Sequence, residues 1–131
     1  MTSTDGQPFH WEGLAIAERL SAVRRAIQDW AEHVGLSADL IHELALAAYE
    51  AMANAAEHAY AGVEPGLLSV LVSASPGWID VLVADQGKWH QADVGAGFRG
   101  RGLLLINGLA EDVTVAATEF GTTVRMRWQM R

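Results

Sequence analysis

Apolar positions in the first half of the chain recur every three to four residues. From about Leu14 to His33, the positions Leu14, Ala17, Leu20, Val23, Ile27 and Trp30, with Ala26 and Val34 beside them, form a helical stripe that Gly35 ends. Ser37 is a good N-cap for a second helix, and Asp39 is an acid suited to its first turn. That helix runs to about Tyr60 and stops at AGVEPG, with Ile41, Leu44, Ala48, Met52, Ala55 and Ala59 as its apolar stripe.

Past Gly66 the period changes. LLSVLVSAS and WIDVLVAD are β-branched runs joined by Pro76-Gly77, which predicts a hairpin. GLLLINGLA reads as a short third helix, and EDVTVAAT and TTVRMRWQM as a second strand pair turning near Phe120-Gly121. In the last strand Val124, Met126, Trp128 and Met130 alternate with Arg125, Arg127 and Gln129, so one face is buried. The expected order is α-α-β-β-α-β-β. It predicts an α+β fold, a two-layer α/β sandwich with helices on one face of a mixed, mostly antiparallel sheet.

Length and composition narrow the function. A chain of 131 residues, half of them hydrophobic, is expected to form one globular domain over residues 1–131. It has no cysteine, which excludes disulfides and thiolate zinc sites and fits a reducing compartment. No apolar run approaches membrane-spanning length and the N-terminus lacks a secretory signal pattern, so a cytoplasmic protein without membrane attachment is expected. The net charge is −7, with ten acids against three bases up to Glu64 and six against six beyond it. Nucleic-acid surfaces need a basic stripe, so direct nucleic-acid binding is not expected. Lys88, Arg99 and Arg101 still suit a small phosphate ligand.

GAGFRG, residues 95–100, is a literal G-x-G-x-x-G. The dinucleotide fingerprint must leave a strand directly and open a helix within a βαβ unit. Here the polar stretch QGKWHQADV separates Asp85 from Gly95, and only 31 residues follow Gly100, so a Rossmann domain is disfavoured. HELAL at His42 lacks the second histidine of a zinc-protease helix, and the five histidines are scattered.

Stronger candidates lie elsewhere. Glu50 and Asn54 are four apart and stack on one helical face, nearly opposite the apolar stripe, with Glu57 and His58 nearby. The ordinary reading is a solvated polar face. Ala47, Ala51, Ala53, Ala55 and Ala56 argue instead for something packed close, such as a ligand. A carboxylate one turn before an amide suits orientation or deprotonation of a nucleophile, and cation coordination. Asp85 ends an otherwise apolar strand: it is either a turn aspartate or an acceptor for a base amino group, with Gly87 permitting close approach. Gly100-Arg101-Gly102 would open a helix whose free N–H groups form a phosphate site. Gly121-Thr122-Thr123 fits a hairpin turn or a ligand contact equally well.

EAMANAAEHAY, DQGKW, GRGLLLI and GTTV, in that order, resemble the Asn box and glycine boxes of the GHKL ATPase superfamily. The likeness is greatest to bacterial anti-sigma-factor serine/threonine kinases, and it covers about Ser37 to Trp128. The resemblance implies a Bergerat-type ATP-binding fold with ATP and Mg²⁺ as cofactors. Glu50 would be the general base and Asn54 the magnesium ligand, with Asp85 and Gly87 at the adenine. Gly100 and Gly102 would hold phosphates at the end of a lid of about residues 88–99, and Arg99 or Arg101 would face the terminal phosphate. Thr122 and Thr123 would complete the nucleotide site. Trp89 stands in place of the second glycine of the first glycine box, and Phe98 lies two residues before Gly100. The implied partners are a STAS-domain anti-anti-sigma protein, which is phosphorylated, and a sigma factor, which is sequestered; a homodimer is compatible. The alternatives are a non-catalytic nucleotide-binding module acting by partner exchange and a histidine-kinase-type ATPase domain. Against the latter, no separate dimerisation domain with a phosphoacceptor precedes Asn54.

Overall fold

The computed structural model describes residues 7–59, 66–87 and 108–130. Five strands and two long helices form two layers. The strands are β1 (Phe9–Leu14), β2 (Leu67–Ser75), β3 (Trp78–Asp85), β4 (Asp112–Thr118) and β5 (Gly121–Gln129). They form one sheet in the order β1-β2-β3-β5-β4, with all four strand pairs antiparallel. Helices α1 (Ala17–His33) and α2 (Ala38–Asn54) cover one face, and a π-helical turn (Ala55–Ala59) extends α2.

The first strand was not expected. FHWEGL alternates, with Phe9, Trp11 and Gly13 half-buried and His10, Glu12 and Leu14 exposed. Leu14 therefore ends β1, and α1 begins three residues later than its stripe suggested. Gly13 has a packing reason: a Cβ there would lie 2.6 Å from the Trp11 indole, which rests on the same strand face. Of the α1 stripe, Leu20, Val23 and Ile27 are buried, joined by Ala31, which the stripe did not include, whereas Ala17 and Ala26 face solvent. Gly35, at φ +87°, closes α1. Its N–H donates to Glu32 O, and that of Leu36 donates to Ala31 O, satisfying two terminal carbonyls.

α2 is the central element. The Ser37 hydroxyl accepts from Leu40 N at 3.2 Å, the expected N-cap. Leu44, Ala45, Ala47, Ala48, Ala51 and Met52 have no solvent exposure, because α1 and the sheet close on the helix from two sides. Opposite them, Leu68, Val70, Val72, Ile79, Val81, Met126 and Trp128 form the inner face of the sheet. Each large apolar side chain buried this way contributes about 1.5–3 kcal/mol. The hairpin at Pro76-Gly77 forms as expected, pairing Ser75 with Trp78 across Gly77 at φ +85°. The alternation predicted in β5 is also present, with Val124, Met126 and Trp128 buried. The expected third helix lies outside the described residues except for its end, where Gly108 and Leu109 are helical. There Leu109 O accepts the Trp128 indole N–H at 3.0 Å.

The outer face of the sheet carries no helix among the described residues. Asp80 sits between Arg125 at 3.4 Å and Arg127 at 2.8 Å, and the Arg127 guanidinium lies 4.5 Å above the Trp78 ring. The Arg127 contact is a close ion pair whose Nε–H is not aligned for a hydrogen bond. No helix of the described residues is long and apolar enough to cross a membrane.

Candidate functional site

α2 starts beside the end of β5: Ser37 and Leu40 share a cavity of about 370 Å³ with Trp128 and Gln129. Seventeen helical residues rise about 25 Å, close to the roughly 26 Å spanned by the eight residues of β3. α2 and its π-helical turn pack along β3. Asn54, at the helix end, is therefore carried to the pole of the sheet where β3 ends at Asp85 and β5 begins at Gly121.

Asp85 is 7% exposed. Its Oδ1 accepts the Gly87 N–H at 3.0 Å and the Thr122 N–H at 3.3 Å. The first bond is local and closes the strand-end turn. The second crosses from β5, where Thr122 pairs with Asp85 in register. Thr122 is 2% exposed and shares the helix-covered face with Asp85, whereas Thr123 pairs with Ala84 and points to the opposite face. The structure therefore joins Asp85, Gly87 and Thr122 and leaves Thr123 apart.

Asn54 is 8% exposed, and its Nδ2 has no hydrogen-bond partner among the described residues. Buried amide nitrogens are nearly always satisfied, and no described residue satisfies this one. Glu50, one turn earlier, is half-buried. The Glu50–Asn54 face is thus partly covered, Asn54 more fully than Glu50. The alanines expected to line a ligand mostly serve another purpose: Ala47, Ala51 and Ala55 belong to the core, bringing α2 close to its neighbours, while Ala53 and Ala56 remain half-buried. Arg99, Gly100, Arg101 and Gly102 lie outside the described residues, as does the expected lid.

Gly121, weighed with Thr122 and Thr123 as a hairpin turn or a ligand contact, meets a steric demand at this pole. Gly121 has φ +148°, and a Cβ built there would fall 2.0 Å from the Asp85 carbonyl oxygen. Only the meeting of β5 with the end of β3 reveals this demand, and sequence spacing carries no sign of it. The 370 Å³ cavity at the other end of α2, walled by Asp39, Glu43 and Glu111, contains none of the candidate residues.

Comparison with known proteins bears on the fold and the family. The model of the histidine kinase-like ATPase domain family matches residues 14–128. Serine-protein kinase RsbW of Bacillus velezensis is 32% identical, with the match covering 83% of this chain and 77% of the relative. The protein of the same name from Bacillus licheniformis is 31% identical over the same shares. Among solved structures, the RsbU and RsbW domains of Rv1364c from Mycobacterium tuberculosis superpose with TM-score 0.78 at 24% identity. That match covers 95% of this chain and 32% of the other. A chain of the SiaB–SiaC complex from Pseudomonas aeruginosa superposes with TM-score 0.70 at 12% identity, covering 91% of this chain and 88% of the other. The two superpositions establish the shared fold, and the family match with the RsbW relatives establishes kinship: the chain belongs to the histidine kinase-like ATPase domain family, of the RsbW serine-protein kinase type.

Proposed function

We propose that the chain binds Mg-ATP at the pole formed by Asn54, Asp85 and Thr122, and phosphorylates a STAS-domain antagonist on serine or threonine. The same protein would sequester a sigma factor when the antagonist is modified, so that the two partners exchange. The observation carrying this reading is two buried polar side chains: Asp85, which accepts from two backbone donors, and Asn54, whose Nδ2 has no partner among the described residues. The family name of the RsbW relatives supports the serine kinase activity.

Each residue has a chemical task. The Asp85 carboxylate accepts from the exocyclic amino group of adenine, and Gly87, without a side chain, lets the base approach. Asn54 would fit a magnesium site: its amide oxygen is of the kind a hard cation takes, and its Nδ2, without a partner among the described residues, would donate to a neighbouring acceptor. When bound, the ion neutralises charge on the phosphates. Glu50 takes the proton from the substrate hydroxyl as that oxygen attacks the γ-phosphorus. The bond to the β–γ bridging oxygen then breaks, and ADP leaves. By the resemblance, Gly100 and Gly102 would hold the phosphates, with Arg99 or Arg101 at the terminal one.

Incubation with γ-labelled ATP, Mg²⁺ and a panel of STAS-domain proteins tests the reading. Label on a serine or threonine of one STAS protein is expected. ATP binding without transfer to any of them, while partner complexes still form, would favour a non-catalytic exchange module.

A further inference from the structure

We propose that β4 is a docking edge for a second copy of this chain: the two β4 strands pair antiparallel about Val115 and join the two sheets into one. β1 and β4 are the edges of the sheet. A free edge is a template for another strand, and proteins ordinarily guard it with charged residues, prolines or very short strands. β1 carries Glu12 and is weakened by Gly13. β4 reads DVTVAAT, with no charge after Asp112 and no proline. Among the described residues no strand lies on its far side.

The main-chain groups of this edge match themselves. Thr118 pairs with Gly121 across a two-residue turn, and the closing pair of such a hairpin exchanges hydrogen bonds. Pairs alternate from there, so the groups of Thr114, Ala116 and Thr118 turn towards β5, and those of Val113, Val115 and Ala117 turn away. An antiparallel copy centred on Val115 sets Val115 against Val115 and Val113 against Ala117, so every outward N–H of these residues meets an outward C=O. Sliding one strand by two residues leaves Val113 or Ala117 opposite a residue outside β4. The side chains agree with the centred register. Val113 and Val115 already pack against the core, and the valines of the two copies meet on that face. Asp112 comes opposite Thr118 of the second copy, so no like charges oppose each other within the strands. Just beyond them Phe120, 81% exposed, comes alongside Ala110 of the second copy. Glu119 comes opposite Glu111 of the second copy, and both copies are acidic, so added salt favours the pairing. The arrangement is a closed two-fold dimer.

Sedimentation velocity on the full chain tests the pairing. An edge contact covers less area than a standard interface, so a reversible monomer–dimer equilibrium with a Kd on the order of 10–100 µM is expected, tightening as salt rises. Ala117→Pro removes an outward N–H at an exposed position and leaves the bonds to β5 in place. With its fold verified by circular dichroism, it is expected to raise the Kd by about tenfold or more. Hydrogen exchange followed by NMR on the wild type needs no variant, and decides the matter if Ala117→Pro does not fold. With rising protein concentration the amides of Val113, Val115 and Ala117 are expected to gain protection, while those of Thr114 and Ala116, already bonded to β5, stay unchanged. A chain that remains monomeric up to about 1 mM overturns the proposal. A dimer in which Val113, Val115 and Ala117 exchange as in the monomer, or one that a folded Ala117→Pro leaves at wild-type strength, overturns it too, because that dimer uses another surface.

Discussion

Thr122 donates its backbone N–H to Asp85 Oδ1 across 37 residues of chain, tying the start of β5 to the end of β3. A turn aspartate would need only the local bond from Gly87. The second donor, from another strand, fixes a buried carboxylate where β3 ends and β5 begins, beside the end of α2.

If that carboxylate reads a base amino group, Asp85→Asn should weaken ATP binding by about 1–3 kcal/mol, since one of its two terminal acceptors becomes a donor. Calorimetry on the folded variant checks this. Affinity equal to wild type would refute the adenine role.

Asn54→Ala addresses the metal. With Mg²⁺ present, ATP binding should weaken by about tenfold, and in EDTA the variant and wild type should differ much less. Equal losses under both conditions would assign the buried amide to the architecture of α2 instead.

The buried alanines of α2 lead to a stability prediction. Ala51 has no solvent exposure, so Ala51→Leu should overpack the core and cost about 1–3 kcal/mol in urea unfolding. Ala26→Leu, on the exposed face of α1, should change stability by less than about 0.5 kcal/mol. Equal midpoints for the two variants would mean that α2 is not held as tightly as described.

These alanines also mark the limit of sequence reading. Their spacing shows that something comes close to α2, but whether that is a ligand or a sheet depends on a partner distant in sequence. The hairpin at Pro76-Gly77, the Ser37 cap and the alternation of β5 were legible because turn chemistry, capping and the two-residue period are local. β1 escaped because Leu14, its last residue, also fits the first position of the α1 stripe, and a six-residue alternation interrupted by Gly13 is a weak signal. Asp85 and Asn54 stood out as polar groups in apolar or small-residue surroundings. Gly121 stood out only as part of the GTT stretch; the steric demand for glycine there was not legible, because it comes from the Asp85 carbonyl on a neighbouring strand.

The central claim is phosphoryl transfer with Glu50 as base, and a single-turnover assay tests it most directly. Glu50→Gln keeps size and helix propensity while removing the charge. Transfer of the γ-phosphate to the STAS partner should slow by about 10²–10⁴-fold, while a parallel titration shows ATP affinity nearly unchanged or slightly improved, because a carboxylate near phosphates repels them. Transfer at the wild-type rate in Glu50→Gln would contradict the base assignment. No transfer by wild type itself, with a partner shown to bind and Mg-ATP present, would contradict the kinase reading.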